Sequence, residues 1–172
     1  VKIPRPVVGN AALKAGWQAL LLRTRKHPDY VSEYKAGPLW RKTEGKTGRL
    51  ALGLDCEMVF MKGDENALAR VSLVSWKETI LDLHVQRNPD DVLDCRTFIS
   101  GVERKHLLAE NGAVTFEEAQ ARVAELVSSD TILVGHSMHR DLRALRVQHS
   151  KVVDTALIFT VDQGGAIMRR RH

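Results

Sequence analysis

The sequence predicts an α/β domain with a mixed central sheet, preceded by a basic N-terminal arm. Three β-like runs follow one another at residues 50–59, 69–74 and 79–85, which indicates an antiparallel meander. Helical and short apolar runs then alternate, as in an α/β sheet. The chain has 172 residues, of which 44% are hydrophobic and 27% charged, so it is long enough for one domain with a sizeable core.

The arm is predicted to span residues 1–48 and to contain one short helix. Apolar residues recur at helical spacing between positions 10 and 25, and glycine and proline then interrupt the chain between positions 35 and 48. We therefore expect a linker there and a domain at 49–172. The apolar positions of the helix are Leu13, Trp17, Leu20 and Leu21.

Charge divides the chain in the same way. Residues 1–49 contain eleven Lys and Arg against three acids, and three arginines lie at 169–171, so the net charge of +5 conceals an acidic centre. A basic arm is typical of proteins that bind a phosphate-rich partner. The alternative is a solvated tail that only keeps the chain soluble.

The second half of the domain is predicted to alternate helices and strands. Residues 116–128 have apolar side chains at helical spacing after Thr115, a good N-cap, with Glu117 and Glu118 in the first turn. A short buried strand is expected at 131–135, a helix at 140–146 and another short strand at 152–153.

Composition excludes several classes of protein. The longest apolar stretches are far shorter than the roughly 18 residues of a membrane span. Two cysteines, Cys56 and Cys95, cannot form a disulfide framework or a four-cysteine zinc site, and a reducing compartment is the simpler expectation.

The strongest chemical signal is the pair Asp55 and Glu57 in an otherwise apolar strand. Period two places both carboxylates on one face of the strand and Cys56 on the other. Two like charges on a core strand repel each other and are costly unless cations neutralise them. The alternative is a polar edge strand with two solvated acids.

A third acid, Asp141, follows a buried strand and a Gly-His turn at the start of a predicted helix. Ligands of α/β sheets sit at the carboxyl ends of strands, so Asp141 can face the same cleft as Asp55 and Glu57. Three oxygen ligands indicate Mg²⁺ or Mn²⁺ rather than zinc. Alone, Asp141 also fits as a first-turn helix acid.

These motifs resemble the DEDD 3′–5′ exonucleases, within them the eukaryotic RNA exonuclease branch of Rex-type and interferon-induced enzymes. The first motif resembles residues 54–59, and segments 67–74, 96–101, 134–142 and 153–155 follow in the family's order. The resemblance covers about residues 50–159 and implies an RNase H-like fold.

The resemblance also implies roles for individual residues. Asp55, Glu57 and Asp141 would hold two divalent ions, and a nucleoside 5′-monophosphate would leave from a 3′ end. By similarity Met58 would pack on the terminal nucleotide and Arg96 would approach its sugar, where the 2′-OH distinguishes RNA. Core packing for Met58 and a surface ion pair for Arg96 are the alternatives.

The chain departs from the family after Phe159. The family's third motif, a His followed five residues later by a fourth Asp, is not found before His172, and neither Asp154 nor Asp162 has its context. We expect His136 and His139 to form hydrogen bonds in the second motif's turn instead. The expectation is an RNase H-like domain whose C-terminal part is missing from this sequence.

Two functions from different classes follow. The first is a Mg²⁺- or Mn²⁺-dependent 3′–5′ RNA exonuclease that acts in RNA processing or ribosome biogenesis, tethered by its basic arm to RNA or to ribonucleoprotein subunits. The second is a catalytically impaired exonuclease-like subunit that binds RNA and protein as a scaffold. By resemblance the location is nuclear or nucleolar, with a cytoplasmic or mitochondrial location as the alternative, and no membrane partner is expected.

Overall fold

The structure is a computed structural model that describes residues 11–31, 39–45, 50–161 and 167–169. The helices are α1 (Ala11–Lys26), α2 (Pro28–Val31), α3 (Thr97–Ser100), α4 (Phe116–Leu126) and α5 (His139–Leu145). The longer strands are β2 (Ala51–Met61), β3 (Asp64–Val74), β4 (Thr79–His84), β6 (Ile132–Gly135) and β8 (Val152–Asp154). The short strands are β1 (Arg41–Lys42), β5 (Val92–Asp94), β7 (Val147–Gln148), β9 (Phe159–Val161) and β10 (Ile167–Arg169).

A six-stranded sheet forms the centre of the domain. Its order is β4-β3-β2-β6-β8, and β5 also pairs with β2. Strands β2, β3 and β4 are antiparallel neighbours, whereas β6 is parallel to both β2 and β8. The predicted meander and the mixed α/β sheet are therefore confirmed.

The meander is closed by two tight turns. Gly63 has a φ of 77° between β2 and β3, a conformation that L side chains rarely adopt. At the next turn the Ser75 hydroxyl accepts hydrogen bonds from the backbone N–H groups of Lys77 and Glu78, at 3.2 and 3.1 Å. Both turns bring apolar strands into register without a long loop.

Helices α4 and α5 cover one face of the sheet. The Thr115 hydroxyl caps α4 by accepting the Glu118 N–H at 3.1 Å, as the sequence predicts. The core on this face contains Leu54, Cys56, Val71, Leu73, Leu133, Val123, Leu142 and Leu145. The predicted helices at 116–128 and 140–146 are confirmed, each with ends shifted by one or two residues.

Helix α1 covers part of the opposite face. Trp17, Leu20 and Leu21 pack against a small cluster of Ile132, Val153 and Ile158. Trp17, Leu20 and Leu21 of the predicted apolar stripe are thus half-buried against β6 and β8. Residues 1–10 and the tail arginines Arg170 and Arg171 lie outside the described residues.

The segment at 39–45 also lies against the domain. Strand β1 pairs in parallel with β7. The buried side chain of Gln120, on α4, links the segment 39–45 to the residues just before β7. Its amide NH₂ donates to the carbonyls of Leu39, Leu145 and Arg146 at 3.0–3.1 Å, and its oxygen accepts from Arg41 Nε at 2.9 Å. Within the part of the chain described here, no helix has the length and apolar character of a membrane span.

Candidate carboxylate site

Asp55 and Glu57 lie on the same face of β2. Asp55 is exposed, Glu57 is half-buried, and Cys56 between them is buried in the core. Partial burial raises the pKa of Glu57, the Asp55 charge raises it further, and Arg70 opposes both effects. The two acids are therefore close enough to repel each other, as strand periodicity predicts.

Asp141 approaches the same strand from α5. Strand β6 pairs with β2 only along Ala51–Gly53, so the following edge of β2 has no strand partner there. The Cys56 N–H donates to Asp141 Oδ1 at 2.8 Å at this open edge. A carboxylate on α5 thus satisfies a backbone donor that a strand would otherwise satisfy.

The ionisation of Asp141 reflects this position. Its side chain is almost fully buried, and burial is the main cause that raises its pKa to about 7. The Asp55 charge raises the pKa of Asp141 further, whereas the hydrogen bond from Cys56 lowers it. Burial and the neighbouring carboxylates also raise the pKa of the Cys56 thiol. The site therefore has an excess of negative charge.

The turn before α5 is shaped by close backbone contact. A Cβ atom on Gly135 would lie 2.7 Å from the Leu54 carbonyl oxygen and 2.6 Å from Met138 Cε. Ser137 has a φ of 54°. Only glycine permits the chain to pass this close to β2, so Gly135 sets the distance between α5 and the first two acids.

A buried acid that the sequence does not reveal as part of the site, Asp154, holds this turn. Its Oδ1 accepts the backbone N–H groups of Ser137 and Ala156 at 2.8 and 2.9 Å. Its Oδ2 accepts the Tyr30 hydroxyl at 2.6 Å, and its own N–H donates to Thr24 Oγ1 at 3.2 Å. The sequence places Asp154 at the end of the apolar run 152–153 and within the family-like segment 153–155, but neither signal predicts these contacts.

Other polar residues continue the face that carries Asp55 and Glu57. Glu57 lies opposite Arg70 and Asp55 opposite Ser72, and the next strand contributes Asp82 and His84. Arg70 forms a bidentate pair with Asp82, with distances of 2.7 and 2.6 Å. Asp82 thus holds Arg70 beside Glu57. Because Arg70 is already paired with Asp82, it neutralises the charge of Glu57 only in part.

The remaining residues named from the sequence lie elsewhere. Met58 is half-buried and packs against the main core. Arg96 has a φ of 50°, and its guanidinium donates to the Glu65 carbonyl at 2.9 Å, close to Asn66 and above the Phe60 ring. The structure therefore places Asp55, Glu57 and Asp141 at the same strand, β2, and Arg96 at the β2–β3 hairpin.

The two histidines of the second motif differ in their contacts. His136 Nδ1 lies 3.1 Å from Thr155 Oγ1. The His139 ring packs edge-to-face on Tyr30, with centroids 5.8 Å apart, and its Nδ1 lies 4.0 Å from an Asp29 oxygen. His136 therefore makes a hydrogen bond as predicted, whereas His139 Nδ1 has no hydrogen-bond partner among the described residues.

The donor set suits a hard divalent cation, because the Asp55 charge helps to raise the pKa values of both Glu57 and Asp141, and a cation would relieve this repulsion. In the described residues, no three His, Cys, Asp or Glu side chains approach closely enough to form a metal-ligand group. The chemistry of the acids therefore fits a divalent cation, although their side chains do not form a closed ligand group in the described residues.

Relatives from several organisms match most of this chain. Small RNA degrading nuclease 2 of Arabidopsis thaliana is 33% identical over 159 residues, which are 86% of this chain and 33% of that protein. RNA exonuclease 4 of Candida glabrata is 40% identical over 121 residues, or 67% of this chain and 44% of the relative. The chain thus spans less than half the length of these relatives. No protein-family model matches it.

Solved structures share the fold. The Saccharomyces cerevisiae Pan2 pseudoubiquitin hydrolase-RNA exonuclease module superposes with a TM-score of 0.57 at 18% identity, covering 77% of this chain and 26% of that one. The same module in complex with AACCAA RNA also gives 0.57, over 73% of this chain and 25% of that one. The predicted exonuclease fold is confirmed, and exonucleases of this kind depend on divalent cations in general.

Proposed function

Since this chain belongs to the DEDD 3′–5′ exonucleases by its relatives and its fold, we propose that it contributes the carboxylate site of a 3′–5′ RNA exonuclease. The observation that carries the proposal is Asp141, an almost fully buried acid held against the strand that bears Asp55 and Glu57. The products would be nucleoside 5′-monophosphates. The relatives' names, RNA exonuclease and small RNA degrading nuclease, support RNA as the substrate.

Asp55, Glu57 and Asp141 would hold the divalent cations, and Mg²⁺ or Mn²⁺ fits an all-oxygen donor set. Bound there, such ions supply a water of lowered pKa and neutralise charge on the scissile phosphate. The Cys56 N–H orients the Asp141 side chain, and burial raises the pKa of this acid to about 7, so that a bound cation would favour its ionised form.

Met58 and Arg96 are proposed to contact the terminal nucleotide. Met58 follows Glu57 directly on β2, which supports a position beside the scissile end. Arg96 is fixed by Glu65, and a contact between its guanidinium and the 2′-OH would favour RNA over DNA. RNA processing in ribosome biogenesis, ribonucleoprotein partners and a nuclear or nucleolar location are further parts of this proposal.

The test compares how fast the protein that contains this chain degrades RNA and DNA oligonucleotides of the same sequence from their 3′ ends. Asp55→Asn and Asp141→Asn should each lower Mg²⁺-dependent release of 5′-monophosphates from RNA by at least about a hundredfold, because each removes a ligand of the cations. The matched control is Asp90→Asn, an exposed acid in the turn before β5 that is not one of the three candidate ligands. Unchanged activity in the first two variants, or faster cutting of DNA, contradicts the proposal.

A further inference from the structure

A large basic groove lies between α5 and the β2–β3 hairpin. It has a volume of about 920 Å³. Five cations line it: Lys62, Arg87, Arg140, Arg143 and Arg146. Among the described residues that line the groove, Asp64 is the single carboxylate, so the lining has a strong excess of positive charge.

Protein acids neutralise little of this charge. Lys62 lies 3.7 Å from Asp91, and both side chains are exposed to solvent. Within the described residues, no carboxylate forms an ion pair with Arg87, Arg140 or Arg146. Exposed pairs such as Lys62–Asp91 contribute little, so Lys62, Arg87, Arg140 and Arg146 can still contact an anionic ligand.

Two of the arginines are held in place before any ligand arrives. The guanidinium carbons of Arg87 and Arg146 lie 5.7 and 5.0 Å from the centroid of the Phe116 ring. Arg87 Nε also donates to the Leu68 carbonyl at 2.9 Å. A guanidinium that is already oriented loses less rotamer freedom when it binds a phosphate.

The groove and the carboxylate site share two elements, β2 and α5. Met61 of β2 and Arg140 of α5 line the groove, and Arg140 directly precedes Asp141. Trp40, in the segment that Gln120 fastens to the domain, also lines the groove. The same two elements therefore carry the three acids and border the groove.

We propose that the groove binds phosphates of a single RNA strand upstream of the 3′ end. The proposal rests on the proposed function, because it takes the 3′ end to lie at Asp55, Glu57 and Asp141. Arginine and lysine side chains along a groove are the usual means of tracking a nucleic-acid backbone, and aromatic side chains such as Trp40 offer a face for a base. The groove adds affinity with RNA length rather than with sequence.

The test measures binding in EDTA, so that cleavage is not needed. A labelled 20-nucleotide RNA is bound in fluorescence anisotropy titrations, and a trinucleotide is titrated as a competitor. The groove variant combines Lys62→Gln and Arg143→Gln, and the control variant combines Lys77→Gln and Lys105→Gln, two exposed lysines outside the groove. Thermal melts check that both variants fold like the parent.

The groove variant should bind the 20-nucleotide RNA about 25-fold more weakly at 0.1 M salt. The slope of log K against log salt should fall by about 1.4, since each phosphate contact of a single strand contributes about 0.7. The trinucleotide and the control variant should keep the parent's values within about twofold.

Other results overturn the proposal. An unchanged affinity for the 20-nucleotide RNA, or an equal loss in the control variant, shows that the groove cations do not contact the strand. Equal loss for the trinucleotide assigns them to the terminal nucleotide. Polyglutamate that competes as well as RNA identifies an acidic polypeptide as the ligand. RNA that binds through the groove but is never degraded, with Mg²⁺ supplied, overturns the proposed function alone.

Discussion

Asp141 has both a structural and an electrostatic role in the candidate site. Its carboxylate completes the hydrogen bonding of the open edge of β2, and it contributes negative charge to the candidate site. The first task fixes the position of the carboxylate, and the second makes its ionisation costly. The residue is therefore stable as a neutral acid and gains most when a cation is present.

This cost predicts a pH dependence of stability in the absence of divalent cations. The pKa of Asp141 is about 7 in the folded chain, well above that of an unfolded aspartate, so the folded state binds more protons between these values. The free energy of unfolding in EDTA should therefore fall as the pH rises from about 4 to about 7, by at most roughly 4 kcal/mol, since a tenfold change in an ionisation constant corresponds to about 1.4 kcal/mol.

Urea unfolding of the parent, Asp141→Asn and Asp90→Asn across this pH range checks the prediction. Asp141→Asn should remove most of the slope, and Asp90→Asn should keep it. The raised pKa of Glu57 acts in the same direction and leaves a smaller residual slope. A full slope in Asp141→Asn would assign the pH dependence to other groups.

At the scale of elements, the contact between the N-terminal helices and β8 is made by few groups. Tyr30 of α2 donates to the buried Asp154, and Thr24 of α1 accepts the backbone N–H of the same residue. Trp17, Leu20 and Leu21 add apolar contact. The sheet face near the candidate site is thus covered by the beginning of the chain.

Tyr30→Phe should lower the free energy of unfolding by about 1–3 kcal/mol, because it removes a donor from a buried carboxylate and leaves the packing of the ring unchanged. Equilibrium urea unfolding measures the loss. Trp76→Phe, which changes an exposed aromatic residue, should have little effect. If Tyr30→Phe is as stable as the parent, the hydrogen bond does not hold α2 on the domain.

Local elements could be predicted from the sequence better than contacts between them. The alternation in β2 places Asp55 and Glu57 on one face, and the helical spacing with Thr115 defines α4. The contacts of Tyr30, Gln120 and Asp154 were not predicted. Their partners lie far away in the chain, and no periodicity records which segment a buried polar group will meet.

At the scale of the whole molecule, the described part of the basic arm lies against the domain rather than apart from it. Arg25 and Lys42 border a cavity of about 370 Å³ between α1 and β7, on segments that are fixed by α1 and β1. Deleting residues 1–48 would therefore also uncover apolar surface near Ile132 and Val153. Neutralising the charges is a cleaner test of what they bind.

The triple variant Arg25→Gln, Lys26→Gln and Lys42→Gln should weaken RNA binding. The slope of log K against log salt should fall by up to about 2, if each exposed cation contacts one phosphate. Anisotropy titrations between 0.05 and about 0.3 M salt provide the slope. The Lys77→Gln and Lys105→Gln variant is again the control. An unaltered slope would mean that these charges serve only solubility.

The hydrogen bond between Tyr30 and Asp154 joins residues 124 positions apart, and this separation has a consequence for synthesis. A ribosome adds about 5–20 residues per second, so β8 is synthesised roughly 6–25 seconds after α1 and α2. During that interval Trp17, Leu20 and Leu21 have no strand to pack against. The start of this chain must therefore wait for nearly all of the sheet to be translated before it can dock.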